Sequence, residues 1–134
     1  MDLAPTAIRI GRDKAKDRGL QVGFLVRDAF DVAAPGERFD SVLDSALIHV
    51  FDDEARARYV KSLGVAVVPG GRYLMLCFSD LEPSGPGPRR VTQAEIRAAF
   101  ATGWQMTSTE PARFDLNLRP DGPLAWLSEI LREG

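Results

Sequence analysis

Cysteine, histidine and long apolar runs are what this sequence has least of. Cys77 is the sole cysteine, so no internal disulfide can form, and its use suits a reducing cytoplasm. The longest apolar stretches, such as Gly64 to Pro69, fall far short of the ~20 residues that cross a bilayer, so no membrane association is expected. Charge of one sign is lacking too. Lys and Arg number 17 against 19 Asp and Glu, the net charge is −2, and no dense basic run appears. The electrostatic signature of a nucleic-acid binder is therefore absent. The start is acidic and helical rather than basic then apolar, so it does not read as a secretory signal. No metal site is expected.

What is present is ordinary for a soluble globular chain. The 134 residues, 45% hydrophobic and 27% charged, fit a single domain over 1–134. A chain of this length can bury enough surface to fold without a covalent staple.

The pattern predicts a helix over 5–18. Pro5 suits its first turn, Gly19 caps its end, and Ala4 offers no side-chain cap. Strands are predicted over 20–26 (LQVGFLV), 39–45 (FDSVLDS) and 72–78 (RYLMLCF). A helix with an acidic first turn spans 52–66, and Pro69-Gly70-Gly71 breaks the chain after it. Thr92-Gln93-Ala94-Glu95 is a capping box that opens a helix over 92–101. Two strands, 104–110 and 112–118, join near Pro111. A last helix over 120–133 carries Leu124, Leu127, Ile130 and Leu131 on one face. Such interleaving predicts an α/β domain with a largely parallel sheet. Ligands of such sheets bind beyond the C-terminal strand ends. Asp28, the pair Asp44 and Ser45, and the pair Ser79 and Asp80 fall at such ends.

Five stretches in this order resemble the class I S-adenosylmethionine-dependent methyltransferases, in particular the small-molecule branch near thiol, thiopurine and tellurite methyltransferases. They are DLAPTAI, the turn RDA at 27–29, FDSVLDSALIHVFDDEARARYVKSL, VVPGGRYLMLCFSD and GPRRVTQAEIRAAFATGW. The resemblance implies a partial Rossmann-like methyltransferase sheet with helices on both faces and the first two strands missing. A Gly-rich loop of the form E/D-x-G-x-G-x-G would lie roughly 20 residues before Asp2, and this sequence contains none.

The resemblance also implies a cofactor, S-adenosylmethionine, and roles toward it. Asp2 and Leu3 stand where the family binds the ribose hydroxyls. Asp28 and Ala29 stand at the adenine, and Asp44 and Ser45 beside the transferable methyl. Asp44 and His49 are the residues expected at the chemistry, where His49 could orient the acceptor or take its proton. The residues themselves also allow plainer readings. Asp2 beside a free terminus has no strand to hold it. Asp28 could cap its own turn, Asp44 could be a polar strand end, and His49 among Leu47, Ile48, Val50 and Phe51 could be a packed core residue. Cys77 is expected to be buried and inert, Trp104 and Trp126 to belong to the core, and Arg89 and Arg90 to be a solvated pair.

The expected function is methyl transfer to a small-molecule acceptor such as a thiol, in the cytoplasm. The alternative is a catalytically silent interaction or oligomerisation module derived from that fold. With its first two strands missing, the sheet would leave the edge of strand 39–45 open. Strand 20–26 would then pack beside it, or a homodimer would fill the gap by strand exchange. A third account is that the chain is a fragment of a longer gene product.

Overall fold

The chain's most apolar stretch, 73–78, forms the middle of a four-stranded sheet in the computed structural model, which describes residues 1–115 and 121–134. The main elements are α1 (Pro5–Asp17), β1 (Phe39–Ser45), α2 (Asp53–Ala66), β2 (Val67–Phe78), α3 (Gln93–Ala99), β3 (Trp104–Arg113) and β4 (Leu124–Arg132). The strand order is β1-β2-β4-β3. The β1–β2 pair is parallel, and the β2–β4 and β4–β3 pairs are antiparallel. The α/β expectation holds, while the largely parallel sheet does not, because the last two strands return by antiparallel pairing.

Local signals explain most element boundaries. Arg18, Gly19 and Leu20 close α1 as a Schellman motif: the N–H of Gly19 donates to Lys16 O and that of Leu20 to Ala15 O, with Gly19 at φ 64°. Asp52 caps α2 by accepting from the Ala55 N–H at 2.8 Å. The capping box on α3 is present, with Thr92 Oγ1 accepting from the Glu95 N–H and Glu95 Oε2 accepting from the Thr92 N–H.

Helices α2 and α3 cover one face of the sheet. Tyr59, Val60, Leu63 and Ala66 of α2 recur at helical spacing and meet Tyr73, Met75 and Cys77 of β2 and Trp126 and Ile130 of β4. Trp104, Phe100 and Ile96 close the same core, so both tryptophans are core residues. The opposite face carries the cross-strand pairs Leu43–Leu74 and Leu76–Leu127.

Several expectations are corrected. Residues 120–133 were expected to form a helix, and 124–132 form β4 instead. The strand lies between two neighbours and is apolar on both faces, so its leucines satisfy a helical period and a buried strand equally. The predicted pair of strands around Pro111 is a single strand, β3. It runs along the edge of the sheet, where a residue without an N–H is tolerated. Residues 116–118 of the expected second strand lie outside the described residues. Pro69-Gly70-Gly71 was expected to break the chain between the helix and a strand starting at Arg72, and instead lies inside β2. Gly70 takes φ 77°, and a Cβ on Gly71 would meet the Asp40 carbonyl of β1 at 2.9 Å. Residues 20–26 form no strand. Their one bridge pairs Val26 with Asp2 in parallel, and among the described residues β1 has no neighbour besides β2. Direct packing of 20–26 beside β1 is therefore not observed.

Candidate functional site

A strand end that turns back under a helix leaves backbone and side-chain polar groups facing a gap, and β1 ends in this way. Asp44 is buried at 3% exposure on the helix-covered face. Its Oδ1 accepts from the Leu47 N–H at 2.9 Å and its Oδ2 from the Tyr73 hydroxyl at 2.7 Å. Ser45 and Ala46, which follow it, are exposed. Ala46 takes φ 71°, a left-handed conformation for a residue with a side chain, and its N–H donates to Leu76 O at 3.0 Å. Strain at a polar strand end is often found at binding sites.

The turn forms one wall of an open crevice of about 480 Å³. Asp2, Leu3, Ala29, Asp44, Ser45 and Tyr59 line it, together with neighbours from 42–47. Its size lies within the usual range of ~300–1,000 Å³ for small-molecule sites. Five of the residues expected at a cofactor, separated by up to 43 positions in the chain, thus share one cavity (2 to 45).

Asp2 is not loose. Its N–H donates to Leu25 O and its carbonyl accepts from the Arg27 N–H at 3.0 Å, a parallel-strand pattern. Its Oδ1 accepts from the Ala4 N–H at 2.8 Å. Arg27 fixes the far side of this segment by donating to Val32 O at 3.0 Å and Glu37 Oε2 at 2.6 Å. The backbone hydrogen bond from Ala34, and then the Arg27 guanidinium, hold the Glu37 carboxyl below its usual range.

Two expected site residues stand apart. Asp28 accepts from the Phe30 N–H at 2.9 Å and caps the 3₁₀ turn Ala29–Asp31 instead of facing the crevice. His49 is 3% exposed, and its Nδ1 accepts from the Phe78 N–H at 3.0 Å. Its ring packs on Phe78 and Phe114. It borders a separate hollow with Phe51, Pro88 and Arg89. Burial lowers its pKa below 6.5, against an opposing pull from the Asp44 charge.

Outside the crevice, burial pushes the Cys77 thiol up to about 12, so it is protonated at neutral pH. Arg89 bridges Asp53 and Glu95 by ion pairs, and Arg90 donates to the Pro83 and Pro88 carbonyls. Both arginines are more constrained than a solvated pair. Asp80 accepts from Trp126 Nε1 at 3.0 Å.

Tyr59, Tyr73, Arg27 and Ala46 belong to this site and were not singled out from the sequence. A signal was present for Tyr73: a phenol inside the run RYLMLCF needs a buried hydrogen-bond partner.

The whole stretch 2–126 matches the model of the thiopurine S-methyltransferase family. The chain belongs to that family. It is therefore one of the class I S-adenosylmethionine-dependent methyltransferases. It is 34% identical over 120 residues to a 2-heptyl-1-hydroxyquinolin-4(1H)-one methyltransferase of Mycobacteroides abscessus, covering 87% of this chain and 53% of that protein. It is 35% identical over 132 residues to the thiopurine S-methyltransferase of Vibrio cholerae, covering 93% of this chain and 58% of that one. A solved structure described for the conversion of a disulfide bond into a thioacetal group during echinomycin biosynthesis superposes with a TM-score of 0.82 at 30% identity. That match covers 98% of this chain and 65% of the other. The family member described here thus spans little more than half the length of these two curated relatives.

Among the described residues, no helix is long and apolar enough to cross a membrane, and no group of three or more His, Cys, Asp or Glu side chains is placed to hold a metal ion.

Proposed function

We propose that the crevice between Asp2 and the end of β1 binds S-adenosylmethionine, and that the protein transfers its methyl group to a small-molecule acceptor with a soft nucleophile such as a thiol. The observation that carries this reading is the convergence of Asp2, Leu3, Ala29, Asp44 and Ser45 on one cavity.

The donor and acceptor set suits the nucleoside part of such a cofactor. Asp2 has one carboxylate oxygen held by the Ala4 N–H, leaving the other to accept from a ribose hydroxyl. Leu3, Val42, Leu43 and Leu47 supply apolar walls for a flat base. No Gly-rich loop occurs in this sequence, so these residues account for the nucleoside end only. When bound, the cofactor supplies an electrophilic methyl on a sulfonium. The task left to the chain is alignment, which can contribute several kcal/mol to such a transfer (roughly 7–11 at best). The turn 44–47 would hold that end of the crevice. The hollow bordered by His49, Phe51 and Pro88 lies beyond the same strand end and is the place for an acceptor.

Isothermal titration with S-adenosylmethionine and with S-adenosylhomocysteine tests the proposal. Saturable heat is expected, with affinity weakened about tenfold in Asp2→Ala. No heat and no thermal shift at millimolar ligand would contradict it.

One observation favours a second reading, that of an interaction module. The outer edge of β1 is unpaired among the described residues, and Leu43 beside it is 76% exposed. An edge of this kind accepts an added strand, here from a second copy. Light scattering separates the two: a monomer at high concentration contradicts the second reading and leaves the first intact.

A further inference from the structure

A buried carboxylate on an edge strand needs an explanation. Taking it out of water costs several kcal/mol unless it is paired. Among the described residues Asp44 forms no ion pair; the Leu47 N–H donates to its Oδ1 and the Tyr73 hydroxyl to its Oδ2, and the Tyr59 hydroxyl also reaches the carboxylate.

Tyr73 poses the matching question. It is fully buried on β2, with its ring against Tyr59, Phe100 and Trp104 at centroid distances of 6.3, 5.3 and 6.4 Å. A phenylalanine would fill that space equally well, so the packing does not call for the hydroxyl. That hydroxyl donates to Asp44 Oδ2 at 2.7 Å, and the Tyr59 hydroxyl is its second polar neighbour.

We propose that Tyr73 is a positioning residue for the crevice: its hydroxyl fixes the Asp44 carboxylate, which in turn holds the 44–47 turn in the shape that receives the ligand. Each link is a contact. Tyr73 donates to Oδ2, and this sets the rotation of the carboxylate. Oδ1 then meets the Leu47 N–H, which closes the turn and keeps Ala46 at its positive φ. Ser45, Ala46 and Leu47 all line the crevice, so the orientation of a core phenol reaches the ligand surface through a single side chain. Tyr59, which lines the same crevice, packs edge-on against Tyr73 and shares a hydrogen-bonded cluster with Tyr73 and Asp44, so it confines both. Asp44 in this arrangement is a clamp whose two oxygens are both occupied, not a free base.

The experiment is amide exchange by NMR on the intact chain, comparing wild type with Tyr73→Phe, Asp44→Ala and Asp44→Asn. In Tyr73→Phe the Leu47 amide should exchange about tenfold faster, while the core amides of Val60 and Ile130 are unchanged. Asp44→Ala should show the same loss, and the double variant no further loss. Asp44→Asn keeps a carbonyl acceptor and should largely restore Leu47 protection. The Tyr73 hydroxyl proton should be a slowly exchanging resonance in wild type and vanish in Asp44→Ala, a readout that holds even where Tyr73→Phe fails to fold.

Unchanged Leu47 exchange in Tyr73→Phe, or a hydroxyl resonance indifferent to Asp44, would overturn the proposal. The ligand arm rests on the cofactor reading: S-adenosylhomocysteine should bind Tyr73→Phe about tenfold more weakly than wild type. If wild type binds none, the cofactor reading fails and the exchange data alone decide the role of Tyr73.

Discussion

Ala46 is the one non-glycine residue with positive φ among those described, and it sits where the crevice wall turns. Its small side chain limits the cost, since a β-branched residue suffers more in that conformation. Ala46→Val should therefore destabilise the fold by about 1–2 kcal/mol, read as a lower urea midpoint, while Ala46→Gly should change it little. His49 yields a pH prediction. Burial depresses its folded pKa below 6.5, so between the two values the unfolded chain holds the proton and the folded chain does not. Its contribution is complete above about 6.5 and is lost as pH falls below that value. Protonation would also remove the Nδ1 acceptor that holds the Phe78 N–H. His49→Asn, whose Oδ1 can replace that acceptor, should flatten the acid limb of stability measured by urea melts between about pH 5 and about pH 8. At this scale the sequence was informative about residue type and less so about direction. Asp44 and Asp28 both stand at chain turns in FDSVLDS and RDA. Only the folded chain turns one toward Tyr73 and the other onto its own Phe30 N–H.

At the scale of elements, punctuation residues were legible and tertiary neighbours were not. Thr92 and Glu95 announce α3 through local hydrogen bonds that need no distant partner. Removing one should cost about 1 kcal/mol, so Thr92→Ala should shift the denaturation midpoint by that amount. The segment 124–132 carried no such mark. Its apolar residues face two strands and a helix layer, and its identity as a strand depends on β2 and β3 arriving on either side. The same context separates two substitutions. Pro111→Thr on the edge strand should be tolerated within about 0.5 kcal/mol. Leu127→Pro in the central strand should cost on the order of 2 kcal/mol or more, although Leu127 is half exposed. Circular dichroism melts of the pair would check this. Residues 20–26 failed as a strand for the complementary reason: a strand-like sequence without a neighbouring ladder forms only the bridge to Asp2.

At the scale of the whole molecule, family membership was legible because five stretches kept their order and spacing. The end of β1 was marked as a ligand-facing strand end, but how Asp2 comes to meet it was not legible, because that depends on how residues 1–3 lie relative to β1. The described chain places Asp2 beside Leu25 and Arg27, and this brings Asp2 to the crevice that the 44–47 turn also lines. The central claim is that this crevice is a nucleoside-cofactor site. An NMR titration of the chain with S-adenosylhomocysteine tests it most directly. The account predicts saturable amide shifts at Asp2, Leu3, Ala29 and 44–47, with the α3 cap at Thr92 and Glu95 unmoved. Absence of shifts at millimolar ligand, or shifts confined to the distant loop 84–90, would contradict it.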